Sequence, residues 1–293
     1  KLMKKPIATP SRTKEILETH GMFAKKNYGQ NFLIESGIVD KIARHAVLSD
    51  HCVVFEIGPG IGALTQYLCE YAKKVVSFEI DERLPDVLAD TLQEYDNFEL
   101  VMSDFLEIDL KEWCRTYREE GYDVVIAANL PYYITTPILF KIFESKADVA
   151  AITVMMQKEV ADRFAAEVNT KDYNALSIIT QYRCEVTPVM KVPKNVFLPK
   201  PNVDSAVLQF RFRDTPQNIE EESFFPLVKA CFRQRRKTIL NNYGEYCQDK
   251  QQARAELEKS GIDCTRRAES VTLAEFINLY EVHRNESKST CEN

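Results

Sequence analysis

The sequence predicts an α/β protein with a doubly wound, mostly parallel sheet, followed by a small all-α domain. Three observations support this prediction. Short apolar runs alternate with helical patterns up to Arg213, the last of these runs alternates like an edge strand, and no strand pattern follows Arg213. The chain has 293 residues, 45% hydrophobic and 28% charged, which suits a globular protein with a buried core.

Strand and helix candidates alternate through the first part of the chain. Central strands of a parallel sheet are short apolar runs, and helices connect them by right-handed crossovers. The predicted strands are Val53–Ile57, Val75–Ile80, Glu99–Met102, Val124–Ala128, Ala151–Met155, Val186–Val192 and Ala206–Phe212. The predicted helices are Ala63–Tyr71, Leu84–Gln93, Pro137–Phe143, Glu159–Glu167 and Ala175–Tyr182.

The pattern changes after Arg213. Residues 214–223 contain Pro216 and three successive glutamates, a composition typical of a linker. Only helical patterns follow, at Phe224–Tyr243, Gln252–Ser260 and Leu273–His283. We therefore predict one domain over residues 1–213 and a helical domain over residues 214–293.

Composition also restricts the class of protein. No apolar run reaches the roughly 18 residues of a membrane span, and Lys1–Lys14 lack the apolar stretch of a secretory signal. The eight cysteines and four histidines form no Cys-x-x-Cys or His-x-x-x-His pair, which argues against a metal site or a disulfide framework. We expect a cytoplasmic monomer without a metal or a membrane partner.

A glycine-rich loop follows the first predicted strand and opens a helix. Gly58, Gly60 and Gly62 allow a tight turn and a close approach of the backbone to a ligand. Glu79 ends the second strand, 21 residues after Gly58, where a carboxylate can accept hydrogen bonds from both hydroxyls of a ribose. These features indicate a cofactor that contains a nucleoside.

The spacing of the glycines distinguishes between cofactors. A dinucleotide loop reads Gly-x-Gly-x-x-Gly, whereas Gly62 comes one residue earlier. Asp104 and Phe105, after the third strand, offer an acceptor for an adenine amino group and an apolar neighbour. This arrangement resembles S-adenosylmethionine enzymes more than dehydrogenases, and we find no hydride-transfer site.

The loop after the fourth strand suits methylation of an exocyclic amine on a base. The lone pair of such an amine is delocalised into the ring, and carbonyl acceptors around its N–H groups stabilise the developing positive charge. Asn129 and the main-chain oxygen of Leu130 can supply these acceptors, Pro131 stiffens the loop, and Tyr132 can stack on the base. Phe197, on a proline-rich loop, offers a second aromatic surface.

In this order, the motifs resemble those of the bacterial small-subunit (16S) rRNA adenine N6,N6-dimethyltransferase family. The resemblance runs from about Thr13 to Leu240. Its motifs are Gly-Gln-Asn-Phe-Leu at 29–33, the glycine loop at 58–62, Asn-Leu-Pro-Tyr at 129–132, the segment 197–205 and Arg-Arg-Lys-Thr-Ile-Leu at 235–240. Asn174 stands where glycine is expected.

The resemblance implies a Rossmann-like, S-adenosylmethionine-dependent methyltransferase fold with a mostly parallel seven-stranded sheet. It implies methyl transfer to N6 of two adjacent adenosines in a hairpin loop near the 3′ end of 16S rRNA, in the small subunit or its precursor. S-adenosylhomocysteine is then the product. The implied cofactor contacts are Gln30, Asn31, Leu33, Gly58, Gly60, Gly62, Glu79, Ile80, Asp104, Phe105 and Asn129.

A basic stretch indicates where the RNA binds, although the net charge is −6. Residues 223–244 contain five basic side chains and no acidic one, and helical spacing predicts that four of them share a face. The candidate RNA contacts are Lys25, Lys26, Lys229, Arg233, Arg235, Arg236 and Lys237.

Two alternatives remain open at this point. A 23S rRNA adenine N6-methyltransferase of the macrolide-resistance type shares the chemistry but usually has Ile where Leu130 stands. A ribosome-assembly factor would bind the subunit with little or no catalysis. A DNA adenine methyltransferase is disfavoured, because its signature tends to begin with Asp where Asn129 stands.

Overall fold

The computed structural model describes residues 5–22 and 30–291, and the chain forms two compact units. The first unit contains residues 1–161 and 187–212, and the second contains residues 162–186 and 213–293. The chain passes from one unit to the other three times, and the predicted boundary after Arg213 lies one residue from the third passage, between residues 212 and 213. However, residues 162–186 were predicted in the first domain, and this is wrong, because Ile178 and Tyr182 share a hydrophobic core with Phe224.

The first unit is built on a seven-stranded sheet with the order β4-β3-β2-β5-β6-β9-β7, and a two-stranded sheet joins β1 to β8. The neighbours from β4 to β6 are parallel, and β9 pairs antiparallel with β6, so the predicted fold class is confirmed. The strands are β1 (Phe32–Leu33), β2 (Cys52–Ile57), β3 (Lys74–Glu79), β4 (Phe98–Met102), β5 (Asp123–Asn129), β6 (Ala151–Gln157), β7 (Cys184–Val192), β8 (Phe197–Leu198) and β9 (Ser205–Phe212).

The sequence did not predict three of the helices that accompany these strands. They are α1 (Pro10–Thr19), α2 (Ser36–Ala46) and α5 (Leu110–Glu119). In α5 only two side chains are buried, Leu110 and Cys114, so its pattern is mostly polar. Its start is nevertheless encoded, because Asp109 accepts a hydrogen bond from the backbone N–H of Glu112 at 3.1 Å. The other helices are α3 (Ala63–Tyr71), α4 (Leu84–Thr91), α6 (Thr135–Glu144) and α7 (Lys158–Phe164).

The second unit is helical. Asn174 caps its first full helix by a reciprocal hydrogen-bond pair with Ser177, and its φ of −154° needs no glycine. The helices are α8 (Ala175–Arg183), α9 (Glu221–Cys231), α10 (Ile239–Cys247), α11 (Lys250–Lys259) and α12 (Leu273–Cys291). Within residues 5–22 and 30–291, no helix combines the length and the apolar character that crossing a membrane requires.

The predicted helix over Phe224–Tyr243 is wrong, because the chain leaves the helical conformation after Cys231 and resumes it at Ile239. The Asn242 side chain stabilises the break. It donates to the carbonyl oxygens of Cys231 and Gln234 at 2.9 and 3.0 Å, and it accepts from the N–H of Gln234 at 3.3 Å. The polar groups released by the end of α9 therefore find partners in a side chain of α10.

The break also changes the predicted basic surface. Arg233, Arg236 and Lys237 lie in the turn between α9 and α10, so they do not share a helical face with Lys229. All four side chains are exposed.

Replacing Asn242 by alanine removes these hydrogen bonds from a side chain that is 3% exposed. We expect Asn242→Ala to lower the free energy of unfolding by about 2–3 kcal/mol, because buried backbone groups lose their partners. Urea unfolding followed by circular dichroism measures this loss. Asn241→Ala, at a partly exposed position of the same helix, is the control and should change stability by less than about 0.5 kcal/mol. Equal losses would contradict the role of Asn242.

Candidate active site

A cavity of about 520 Å³ lies in the first unit, at the carboxyl ends of β2, β3, β4 and β5. Ligands of doubly wound sheets bind at this edge, where neighbouring connections run to opposite sides. Most of the predicted site residues line it. They are Gln30, Asn31, Leu33, Gly58, Gly60, Glu79, Ile80, Asp104, Phe105, Asn129, Leu130, Pro131, Tyr132 and Phe197.

The glycine loop at one side of the cavity depends on a left-handed backbone. Gly58, Gly60 and Gly62 have φ values of 67°, 57° and 97°. Gly62 is not among the residues that line the cavity. A Cβ there would stand 3.2 Å from Thr91 Oγ1 and 3.3 Å from Leu92, so this glycine allows α3 to pack closely on α4.

Glu79 presents a fixed carboxylate to the cavity. Its Oε2 accepts hydrogen bonds from the backbone N–H groups of Ile80 and Asp81 at 2.8 and 3.1 Å. Burial nevertheless raises the pKa of Glu79 above its ordinary value. Gln30 reaches the same region and donates to Asp81 Oδ2 at 3.3 Å. Asp81 was missed by the sequence analysis, although it follows Glu79 closely in the chain.

Asp104, Phe105 and Ile80 form the part of the cavity after β3 and β4. Asp104 Oδ1 accepts from the N–H of Leu106 at 2.9 Å, which holds the turn and fixes the carboxylate. Phe105 is buried, and its ring packs edge-on against Phe78 with centroids 5.6 Å apart. Ile80 is 66% exposed, which leaves an apolar surface open beside these groups.

The Asn129–Tyr132 loop begins at the last residue of β5, and contacts at both of its ends fix its position. Asn129 is the last residue of β5, and the Leu130 side chain is buried. Pro131 precedes a short 3₁₀ turn that begins at Tyr132. The Tyr132 hydroxyl lies 3.2 Å from Ser205 Oγ, so its ring is tied to the start of β9.

The small sheet of β1 and β8 brings Phe197 to the cavity. Leu33 pairs with Phe197 and Phe32 with Leu198, and the N–H of Ile34 donates to the Val196 carbonyl at 2.9 Å. A phenylalanine at this place can belong to the hydrophobic core or to the active-site wall, and the sequence analysis predicted the active-site wall for Phe197. Its side chain is buried in the hydrophobic core and also lines the cavity, so both descriptions hold.

Glu56 is a functional candidate that the sequence analysis missed. It lies on β2, two residues before Gly58, lines the cavity and is 1% exposed. Its Oε1 accepts hydrogen bonds from Thr65 Oγ1 at 2.6 Å and Ser77 Oγ at 2.7 Å. Burial raises the pKa of Glu56 to about 7. The sequence does contain a signal for this residue, because Glu56 is a carboxyl group inside an otherwise apolar strand.

The candidate RNA contacts fall into three groups. Lys25 and Lys26 lie outside the described residues. Arg235 is held within the second unit, because its guanidinium donates to the Lys171 carbonyl oxygen and lies 3.4 Å from a Glu269 carboxylate oxygen. The other four side chains are exposed at the end of α9 and in the turn after it. They are Lys229, Arg233, Arg236 and Lys237.

The pKa of Glu56 gives a testable pH dependence. Between its ordinary value of 4.5 and about 7, this carboxyl group is protonated in the folded chain and ionised in the unfolded chain. The parent therefore loses stability as the pH rises through this window, and the full penalty remains above it. Glu56→Gln keeps an acceptor for both hydroxyls, and its stability relative to the parent should rise through the window by about 3 kcal/mol.

Chemical denaturation at several pH values measures this difference. Glu18→Gln, the same substitution at an exposed position of α1, is the control and should change the free energy of unfolding by less than about 0.5 kcal/mol. A constant difference for Glu56→Gln would contradict the proposed protonation.

Comparisons with known proteins find similarity to ribosomal RNA methyltransferases over nearly the whole chain. A model of the family described as ribosomal RNA adenine dimethylase matches residues 22–285. Two proteins named ribosomal RNA small subunit methyltransferase A are close relatives. The one from Bacillus pumilus is 49% identical over 286 residues, which cover 96% of this chain and 98% of the relative. The one from Staphylococcus haemolyticus is 46% identical over 288 residues, which cover 96% and 97%.

Two solved structures share the fold. A dimethyladenosine transferase from Plasmodium falciparum has a TM-score of 0.72 and 27% identity, and the match covers 86% of this chain and 97% of that one. The 23S rRNA methyltransferase ErmE has a TM-score of 0.67 and 28% identity, with coverage of 86% and 99%. The fold is thus the Rossmann-like fold of S-adenosylmethionine-dependent methyltransferases, and the chain belongs to the ribosomal RNA adenine dimethylase family.

Proposed function

We propose that this protein transfers methyl groups from S-adenosylmethionine to N6 of two adjacent adenosines near the 3′ end of 16S rRNA, giving N6,N6-dimethyladenosine. One observation carries the proposal: a single cavity is lined both by the Glu79 and Asp104 carboxylates and by the Asn129–Tyr132 loop. The names of the relatives support the small subunit as the substrate. We also propose that the protein acts in the cytoplasm as a monomer.

The described residues fit the methyl donor. The Glu79 carboxylate would accept hydrogen bonds from ribose hydroxyls and Asp104 from an adenine amino group, while exposed Ile80 would offer an apolar contact. Asn31 and Leu33, beside β8, would hold the methionine end. When bound, S-adenosylmethionine supplies an electrophilic methyl group on a sulfonium.

The acceptor amine would be bound by the loop after β5. The side-chain oxygen of Asn129 and the carbonyl oxygen of Leu130 accept hydrogen bonds from the amine, which favours a pyramidal nitrogen and stabilises its developing positive charge. The target base is flipped out and stacks on Tyr132, whose hydroxyl is held near Ser205, with Phe197 as a second aromatic wall. The methylated amine is acidic enough to lose its proton to water, so the mechanism needs no side-chain base.

Asn129→Ala tests this site directly. Because the variant lacks one of the two acceptors, we expect methyl transfer to undermethylated 30S subunits to fall about 100-fold or more, while binding to the subunit is retained. The assay follows labelled methyl from S-adenosylmethionine under single-turnover conditions, followed by nucleoside analysis. Asn241→Ala, at a partly exposed position outside the cavity, is the matched control and should retain full activity.

The same assay on 30S and 50S subunits tests the substrate. N6,N6-dimethyladenosine in 16S rRNA alone is the expected result. Label in 23S rRNA would assign the protein to the resistance type, and subunit binding without any transfer by the parent would favour an assembly factor. Unchanged transfer by Asn129→Ala would contradict the assignment of the site.

Basic side chains of the second unit would contact the RNA backbone. Arg236 is exposed in the turn after α9, so Arg236→Glu should weaken 30S binding about tenfold and leave the affinity for S-adenosylmethionine unchanged. Filter binding and calorimetry measure the two affinities, and Lys111→Glu, on the exposed side of α5, is the charge-matched control.

Arg235→Glu should weaken RNA binding and also lower the free energy of unfolding, because Arg235 contacts Lys171 and Glu269. Equal loss of both affinities in Arg236→Glu would mean that this turn supports the fold rather than the RNA.

A further inference from the structure

A cysteine, a glutamate and a histidine meet within the second unit. Cys247 ends α10, Glu256 lies on α11 and His283 lies on α12. Each offers one ligand atom, and these three atoms lie within 4.8 Å of one another. The sequence predicted no metal site because it contains no closely spaced Cys or His pair. These residues are far apart in the chain and are brought together only by the packing of three helices.

The Glu256 carboxylate is buried, and its contacts in the described part of the chain include neither a lysine nor an arginine. It is 2% exposed. In the described part of the chain, its contacts are the Tyr243 hydroxyl, the Gln252 amide at 3.1 Å, the Cys247 sulfur at 3.8 Å and His283 Nδ1 at 3.1 Å. Since a buried carboxylate is costly without a positive charge beside it, a bound cation would stabilise this site.

The geometry suits a tetrahedral ion with mixed ligands. Zinc binds Cys, His and carboxylate ligands at about 2.0–2.3 Å, which places neighbouring ligand atoms roughly 3.3–3.8 Å apart. The separations from Glu256 to His283 and Cys247, 3.1 and 3.8 Å, are close to these values, and the third separation, from Cys247 to His283, lies within 4.8 Å. Cys247 and His283 are partly exposed, so solvent can reach the site and a water molecule can complete the coordination. Tyr243 and Gln252 already orient the carboxylate.

We propose that Cys247, Glu256 and His283 form a structural Zn²⁺ site that joins α10, α11 and α12. On binding, the thiol proton leaves to solvent, the thiolate sulfur and a carboxylate oxygen coordinate the ion, and neutral His283 binds through the Nδ1 lone pair, with its proton on Nε2. None of the residues assigned to methyl transfer takes part, so the proposal does not depend on the proposed function.

The test uses the full-length protein, stripped with a chelator and then titrated with Co²⁺. We expect one equivalent to bind with a thiolate-to-Co²⁺ charge-transfer absorption, Zn²⁺ to displace it, and Zn²⁺ to raise the melting temperature. Cys247→Ser should abolish the charge-transfer band. His283→Gln should weaken Zn²⁺ binding at least about tenfold. Cys264→Ser, which changes another partly exposed cysteine of the same unit, is the control and should keep the band.

Three outcomes would overturn the proposal. They are a folded parent without a charge-transfer band, a band that survives in Cys247→Ser, and a band lost in Cys264→Ser. If Cys247→Ser does not fold, His283→Gln decides, because it keeps the thiolate. Unchanged Zn²⁺ affinity and an unchanged Co²⁺ spectrum in that variant would exclude the site.

Discussion

The parallel register of four strands is the constraint on which the cavity depends. Ile57 at the end of β2 is paired with Phe78 of β3 and with Ala128 of β5. The residues that follow these three, Gly58, Glu79 and Asn129, therefore emerge at the same level of the same edge. Side chains alternate between the two faces of a sheet, and both faces of these strands are buried, so a slip of one residue would exchange the side chains that pack on the two faces. The buried pattern of the strands thus fixes the relative height of the functional groups.

The sequence predicted the central sheet well because its strands are buried on both faces and read as apolar runs. It missed α5, which buries only Leu110 and Cys114, and it also missed α1 and α2, although their buried residues have helical spacing. It also extended one helix through residues 232–238. The local pattern there is compatible with a helix, but in the structure Asn242 hydrogen-bonds the backbone at the break. Such contacts between elements leave no periodic signal in the sequence.

The candidate active site was likewise predicted in part and missed in part. Glu79, Asp104 and Asn129 could be predicted because they lie at or just after the carboxyl ends of strands. At these places, position along the chain determines position at the sheet edge. Gly62 fits the glycine motif, but it packs against α4 instead of lining the cavity. This could not be predicted, because a motif does not reveal which of its residues faces the ligand. Glu56 was missed because strand residues were read as core. Lys25 and Lys26 remain predictions from sequence alone.

The pairing of β1 with β8 has a consequence for protein engineering. Phe197 is held in place by backbone hydrogen bonds to a segment near the opposite end of the sequence, around Leu33. An amino-terminal truncation or fusion that displaces residues 31–34 would therefore disturb the aromatic wall as well as its own side of the cavity. A shortened protein designed to retain the sheet must keep this segment, even though it adds no strand to the seven-stranded sheet.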